Sequence, residues 1–113
     1  MRFDSLRRKN DFERVYRKGT KHKGKSISIL ADNVPENEGS KVSIVISGKF
    51  GNSVKRNRAR RLIREALRSL KVTMGGAWNM IILPGPNLIN AGVNDLETEL
   101  LDLFGRAGAI NRI

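Results

Sequence analysis

The sequence has no cysteine among its 113 residues, which excludes a disulfide framework and any thiolate metal site and is compatible with a reducing compartment. Its single histidine, His22 in the stretch TKHKGK, has no partner in sequence for proton transfer and reads as a loop residue touching solvent or phosphate. The longest strongly apolar run is Met80-Ile81-Ile82-Leu83, far too short to span a bilayer. The opening stretch MRFDSLRRKNDF carries charges where a secretion signal needs an apolar core. Together these absences predict a soluble, intracellular, cytoplasmic chain with no membrane partner. There is no internal repeat, low-complexity tract or interdomain linker, so residues 1–113 are expected to form one domain around one core. Neither a phosphate-cradling Gly loop with its Lys-Ser/Thr nor a Gly-x-Ser-x-Gly nucleophile turn is present.

Acidic residues are scarce as well. Asp and Glu number 11 against 22 Lys and Arg, a net charge of +11 that attracts polyanions, nucleic acid first and anionic membrane second. The imbalance is local: residues 1–71 hold 20 basic and 7 acidic groups, while residues 72–113 hold 2 basic and 4 acidic. The N-terminal two thirds therefore carry the attractive field.

Periodicity outlines the elements. Asn10 followed by Glu13 has the form of a capping box, and Phe12, Val15 and Tyr16 make a helical stripe that ends at Gly19. Ile27 and Ile29 alternate with Ser26 and Ser28, and Val42, Ile44 and Ile46 alternate with Ser43, Val45 and Ser47, with the turn-rich DNVPENEGS between. A second helix follows, capped by Asn52 or Ser53, with Ala59, Leu62, Ile63, Ala66, Leu67 and Leu70 at spacings of three and four. AWNMIIL has the composition of a buried strand ended by Pro84-Gly85-Pro86, and Asn94 with Glu97 predicts a cap for a last helix with Leu96, Leu100, Leu103, Phe104 and Ala107 inside. The predicted order is α, β, β, α, β, α, with a short additional strand near residues 20–25.

The second helix raises the functional question. GNSVKRNRARRLIREALRSL places Lys55, Arg56, Arg58, Arg60, Arg61, Arg64 and Arg68 against the single acid Glu65. At 100° per residue Asn57, Arg60, Arg61, Arg64 and Arg68 gather opposite the apolar side, giving a cationic front and an apolar back. Lys55, Arg56 and Arg58 lie where the helix dipole is already positive, at a cost of about 0.3–1 kcal/mol each. Like charges at i, i+4 also oppose the helix. Stability does not explain such a segment; an anion docked at the helix start does, because free backbone N–H groups and guanidinium forks then share phosphates.

At these residues a family resemblance becomes specific. SGKFGNSVKRNRARRLIRE resembles the signature of the bacterial ribonuclease P protein component, through Lys49, Gly51, Asn52, Val54, Arg56, Asn57, Arg58, Arg60, Arg61, Leu62, Ile63, Arg64 and Glu65. Leu6, Asp11-Phe12 and Val15-Tyr16 are similar to that family's first helix. The resemblance implies an α+β fold: a single-domain α/β sandwich with a central, mostly antiparallel sheet and a left-handed βαβ crossover, ribosomal-protein domain-2-like. It implies the protein subunit of the endoribonuclease ribonuclease P, monomeric in the holoenzyme, binding the ribonuclease P RNA and the 5′ leader of precursor tRNA during 5′ maturation of tRNA. The RNA and its Mg²⁺ ions carry the chemistry, so no catalytic or metal-binding side chain and no protein-held cofactor are expected. Ribozyme RNA-binding residues implied are Lys49, Asn52, Lys55, Arg56, Asn57, Arg58, Arg60, Arg61, Arg64 and Arg68, and leader-binding residues Phe12, Tyr16, Thr20, Ile27 and Leu30. Ile27 and Leu30 stand where the family commonly places aromatics, which shifts leader contact toward apolar packing.

Other readings fit less well. Asp95, Glu97, Glu99 and Asp102 spread around a helix with no histidine nearby, as a solvated face does, rather than converging as metal ligands. A basic ribosomal or general nucleic-acid-binding protein without a processing role uses the same helix and is the alternative. A DNA major-groove helix needs base-reading side chains on a projecting helix, and a membrane-surface helix needs exposed apolar bulk; the strong apolar back argues instead for a helix laid flat on a sheet.

Overall fold

The computed structural model describes residues 1 and 3–110. Strand β1 is Asp4–Ser5, helix α1 Lys9–Lys18, β2 Thr20–Lys23, β3 Ile27–Asn33, β4 Lys41–Ile44, α2 Ser53–Ser69, β5 Trp78–Pro84 and α3 Val93–Ala107, with 3₁₀ turns at Gly48–Phe50 and Pro86–Asn90. The five strands form one mixed sheet in the order β1-β4-β5-β3-β2. β5 runs antiparallel to β3, from Ile27 opposite Pro84 to Asn33 opposite Trp78, and β2 is antiparallel to β3. The other half is parallel: β4 pairs with β5 and the two-residue β1 pairs with β4. Parallel neighbours need a crossover, and α2 supplies it between β4 and β5.

Alternation along the strands divides the core in two. Ile27, Ile29, Ala31, Val42, Met80 and Ile82 face α2 and α3 and pack with Ile63, Ala66, Leu67, Leu96, Leu100, Leu103 and Phe104. Ile81 faces the other way and packs with Leu6 and the α1 residue Val15, flanked by half-buried Phe12, Leu30, Val45 and Leu83. Two helices thus cover one face of the sheet and one short helix covers the other.

Two helix starts differ from expectation. Arg8, not Asn10, is the N-cap of α1 and makes no side-chain cap bond; Glu13 instead lies 4.0 Å from Lys9 on the outer face. The docking of Leu6 and Val15 on Ile81 sets where this helix begins. α3 starts at Val93 after Gly92, and Asp95, not Glu97, reaches back, its Oδ2 accepting from Gly92 N at 3.4 Å. At α2, Asn52 takes the cap: its side chain accepts from Lys55 N at 3.0 Å.

The acidic side of α3 departs further from a solvated face. The Glu99 carboxylate accepts from the backbone N–H of Ser26 at 2.9 Å and of Ile27 at 2.7 Å, closing the β2–β3 turn. Gly24 is required there, since a Cβ would stand 2.8 Å from Glu99 Oε2 and from the Ile27 carbonyl. From the same helix the Arg106 guanidinium donates to the Lys23 carbonyl at 2.9 Å and pairs with Asp102 at 3.1 Å. Hydrogen bonds to a charged acceptor contribute about 1.5–3 kcal/mol. Glu99→Ala strands two part-buried amides and is expected to cost about 2–3 kcal/mol, read as a lower midpoint in chemical denaturation; an unchanged midpoint means the turn holds itself.

Candidate nucleic-acid interface

The interface begins with the turn that launches α2. Ser47 accepts from Lys49 N at 3.2 Å, which bends the chain after β4 and leaves Lys49 exposed. Gly51 then takes φ +156° and ψ −167°, a region essentially confined to glycine. A Cβ there would also stand 2.9 Å from the Lys55 Cδ. Asn52 follows as the cap, and the positive dipole end of α2 begins at this turn.

Along α2, Ala59, Ile63, Ala66 and Leu67 are buried and Lys55, Asn57, Arg58, Arg61, Arg64 and Arg68 are exposed. Asn57, Arg60, Arg61, Arg64, Glu65 and Arg68 line a shallow groove of about 560 Å³. Arg64 and Arg68 also line a second one, of about 690 Å³, against β1. Ion pairs among the described residues join Lys9 to Glu13, Arg14 to Asp32 and Glu36, and Arg106 to Asp102. None reaches a cation of α2, so among the described residues its seven positive charges, five of them on exposed side chains, have no carboxylate within ion-pair distance.

Two of these cations also hold the surface together. Arg60 is half-buried and donates to the Ile44 carbonyl at 3.1 Å, stapling α2 to the end of β4. Arg56 is half-buried too, its guanidinium lying over Gly48, 3.7 Å from where a Cβ would stand. Both half-buried guanidinium groups stand beside the exposed side chains of Arg58 and Arg61.

The residues expected at the leader cleft are divided by the sheet. Phe12 is half-buried over Leu6, Val15 and Ile81, and Leu30 shares that cluster; Tyr16 on α1 is 54% exposed. Ile27 is a correction: it is 2% exposed inside the core under α2 and α3, out of reach of any ligand. Thr20 is exposed on the edge strand, and its register partner Ala31 places it on that same far face. His22 is a strand residue, not a loop residue, with Nε2 2.8 Å from Thr20 Oγ1. Lys21 and Lys23 occupy the near face instead, opposite Leu30 and Ser28. The alternating lysines of TKHKG in a short predicted strand were the signal for them.

Midway along α1, between Phe12 and Tyr16, Arg14 spans Asp32 at 3.1 Å and Glu36 at 2.8 Å. The bond to Glu36, then the charge of Asp32, raises the Arg14 pKa. A backbone hydrogen bond within Glu36, then Arg14, holds the Glu36 carboxyl below its ordinary value. Arg14 is therefore neutralised and is not a free cation of α1. Among the described residues no group of three or more His, Cys, Asp and Glu is placed to hold a metal ion, and no helix is long and apolar enough to cross a membrane.

The family described as Ribonuclease P matches residues 1–108. A protein named Ribonuclease P protein component from Bacillus cereus (strain B4264) is 22% identical over 103 residues, 91% of this chain and 90% of that protein. The protein of the same name from Bacillus anthracis (strain A0248) is 23% identical over 103 residues, 91% of this chain and 87% of that one. Among solved structures, the Staphylococcus aureus RNase P protein superposes with a TM-score of 0.77 at 22% identity, over 97% of this chain and 100% of that chain. The Thermotoga maritima RNase P protein gives 0.77 at 23% identity, over 91% and 96%. A Staphylococcus aureus RNase P protein mutant described as having defective mRNA degradation activity gives 0.81 at 24% identity, over 94% and 89%. The mixed five-stranded sheet with three helices is the fold of those proteins.

Proposed function

This chain belongs to the ribonuclease P protein family, and from that premise we propose that it is the protein subunit of the ribonuclease P holoenzyme, binding the catalytic RNA and the 5′ leader of precursor tRNA. The observation that carries the reading is the front of α2, whose cations have no ion-pair partner among the described residues while its back is packed in the core with the sheet. Structured RNA presents phosphates and 2′-hydroxyls across its accessible groove. Arg58, Arg61, Arg64 and Arg68 supply forked donors for the phosphates, and Asn57 both donates and accepts, as a 2′-hydroxyl requires. Lys49, Lys55 and the α2 N-terminus extend the contact upstream, with Arg56 and Arg60 as its fixed points.

The leader is held by different means. Tyr16 and Phe12 offer rings, and Leu30 an apolar floor, on which bases of any sequence can pack. Mg²⁺ belongs to the partner RNA, where it supplies the Lewis-acid chemistry of phosphodiester hydrolysis; the protein's part is to bind, orient and neutralise charge. One copy of the chain serves each RNA, and the setting is the cytoplasm, where tRNA precursors are processed.

Reconstitution tests the reading. Added to a bacterial ribonuclease P RNA at low Mg²⁺, the protein is expected to promote cleavage of precursor tRNA at the mature 5′ end, whereas the protein alone leaves the precursor intact. Binding to the RNA without promoted cleavage favours the alternative, a general basic RNA-binding protein. Cleavage of transcripts by the polypeptide alone overturns the assignment of chemistry to the RNA. Within the active complex, Tyr16→Ala removes a stacking contact worth about 1–3 kcal/mol. It is expected to weaken precursor tRNA binding roughly 5- to 150-fold with mature tRNA almost unaffected; equal losses for both point to a different cleft.

A further inference from the structure

The α1 side of the sheet is only partly roofed. α1 packs where Val15 meets Leu6 and Ile81, and Ser28, Leu30, Ser43, Val45 and Leu83 remain half-exposed. At the β2 edge this floor ends in Lys21 and Lys23. Residues directly opposite in an antiparallel ladder project from the same side. Pairing with Leu30 and Ser28 therefore puts both lysines on the side of Phe12 and Leu30, while Thr20 and His22 project to the other.

Both lysines are exposed, and no ion pair among the described residues includes them. Lysine on an edge strand is often only a guard against edge-to-edge aggregation. That role does not call for a rigid strand, and this one is fixed from behind. Arg106 donates to the Lys23 carbonyl, and Glu99 holds the turn through Ser26 and Ile27. Side chains two residues apart on a strand stand about 6.8 Å apart, commensurate with successive phosphates of an extended nucleic-acid strand. Arg17 and Lys18, exposed in the last turn of α1, precede β2 by a single glycine and add to the same positive rim.

We propose that Lys21 and Lys23 form a phosphate rail for single-stranded RNA on the α1 face, with the sugar-phosphate chain along β2 and the bases turned toward Phe12, Tyr16 and Leu30. This rests on the leader reading above and adds an orientation to it: backbone on the β2 side, bases on the α1 side. The occupant follows from complementarity, since a positive edge beside a partly apolar, partly hydroxylated floor suits a flexible polyanion with flat hydrophobic faces. A duplex, whose bases are stacked inward, can use only the edge.

The test uses holoenzyme reconstituted with the Lys21→Gln, Lys23→Gln double variant and measures affinity against salt for precursor tRNA with a long leader and for mature tRNA. The variant is expected to reduce the precursor log-log salt slope by about 1.4, the value for two phosphates of a single strand, and to leave the mature tRNA slope alone. The Lys21→Arg, Lys23→Arg protein restores the slope. Neutral methylphosphonates at the contacted leader positions are expected to weaken the wild-type complex but add nothing to the variant's loss. An unchanged slope in a complex that still prefers the leader overturns the rail and spares the leader reading, and so does an equal loss for both tRNAs. A wild-type complex with no preference for the leader overturns both. A preference for double-stranded over single-stranded leader overturns the orientation and with it the rail.

Discussion

Arg58→Ala combined with Arg61→Ala is expected to weaken binding to ribonuclease P RNA by about two orders of magnitude or more while leaving the protein folded. Charge-assisted contacts to phosphate contribute about 1.5–3 kcal/mol each, so each lost guanidinium corresponds to roughly tenfold or more in Kd. The salt dependence should flatten in step, by about 0.7–0.9 in log-log slope per phosphate contact removed. Stability should not follow. Both side chains are exposed, and like charges at spacings of three and four oppose a helix, by about 0.2–0.5 kcal/mol per pair. The double variant is therefore expected to melt at or slightly above the wild-type temperature. Arg60→Ala is the informative contrast, because its bond to the Ile44 carbonyl ties α2 to β4 and its loss should lower stability and RNA affinity together. A titration in which the double variant binds as wild type would remove the front of α2 from the RNA contact.

The largest effect on stability is expected at Phe104. This ring is fully buried and among the largest side chains in the core between the sheet, α2 and α3. Truncating a buried phenylalanine to alanine costs about 3–5 kcal/mol from lost transfer energy and the residual cavity. Domains of this size are stable by about 5–15 kcal/mol, so Phe104→Ala should remove about a fifth of the total or more and shift the denaturation midpoint accordingly. Phe104→Leu, which keeps most of the volume, should cost markedly less. A loss below about 1 kcal/mol for the alanine variant would show that α3 is not packed as described. The damage should also spread, since Glu99 and Arg106 fasten the β2–β3 turn from the same helix.

What the sequence makes legible depends on whether the cause is local. Spacings of three and four reveal α2 and α3, and the charge density of the RNR segment reveals its cationic front, because both are properties of neighbouring residues. β1 is two polar residues, Asp4 and Ser5, with no periodicity to announce it; it exists only because β4 offers an edge. Ile27 and Thr20 show a related limit. Alternation says which residues share a side of a strand, but not which side meets which helix, so Ile27 was placed with Leu30 although adjacent register sends it to the opposite face. Lys21 and Lys23 were hidden for the same reason. Glu99 fits a solvated helical face until the fold brings Ser26 and Ile27, more than 70 positions earlier, onto its carboxylate.

The central position of β5 sets the order in which this molecule can be made. β5 joins β4 on one side to β3 on the other, yet among the described residues it is the last strand in chain order, and such distant pairing is intrinsically slow. A nascent chain that has not yet reached Trp78 holds only two unconnected strand pairs, and its arginine-rich helix has no platform to lie on. Until then the back of that helix, at Ile63, Ala66 and Leu67, lacks Met80 and Ile82, the β5 side chains in its core cluster.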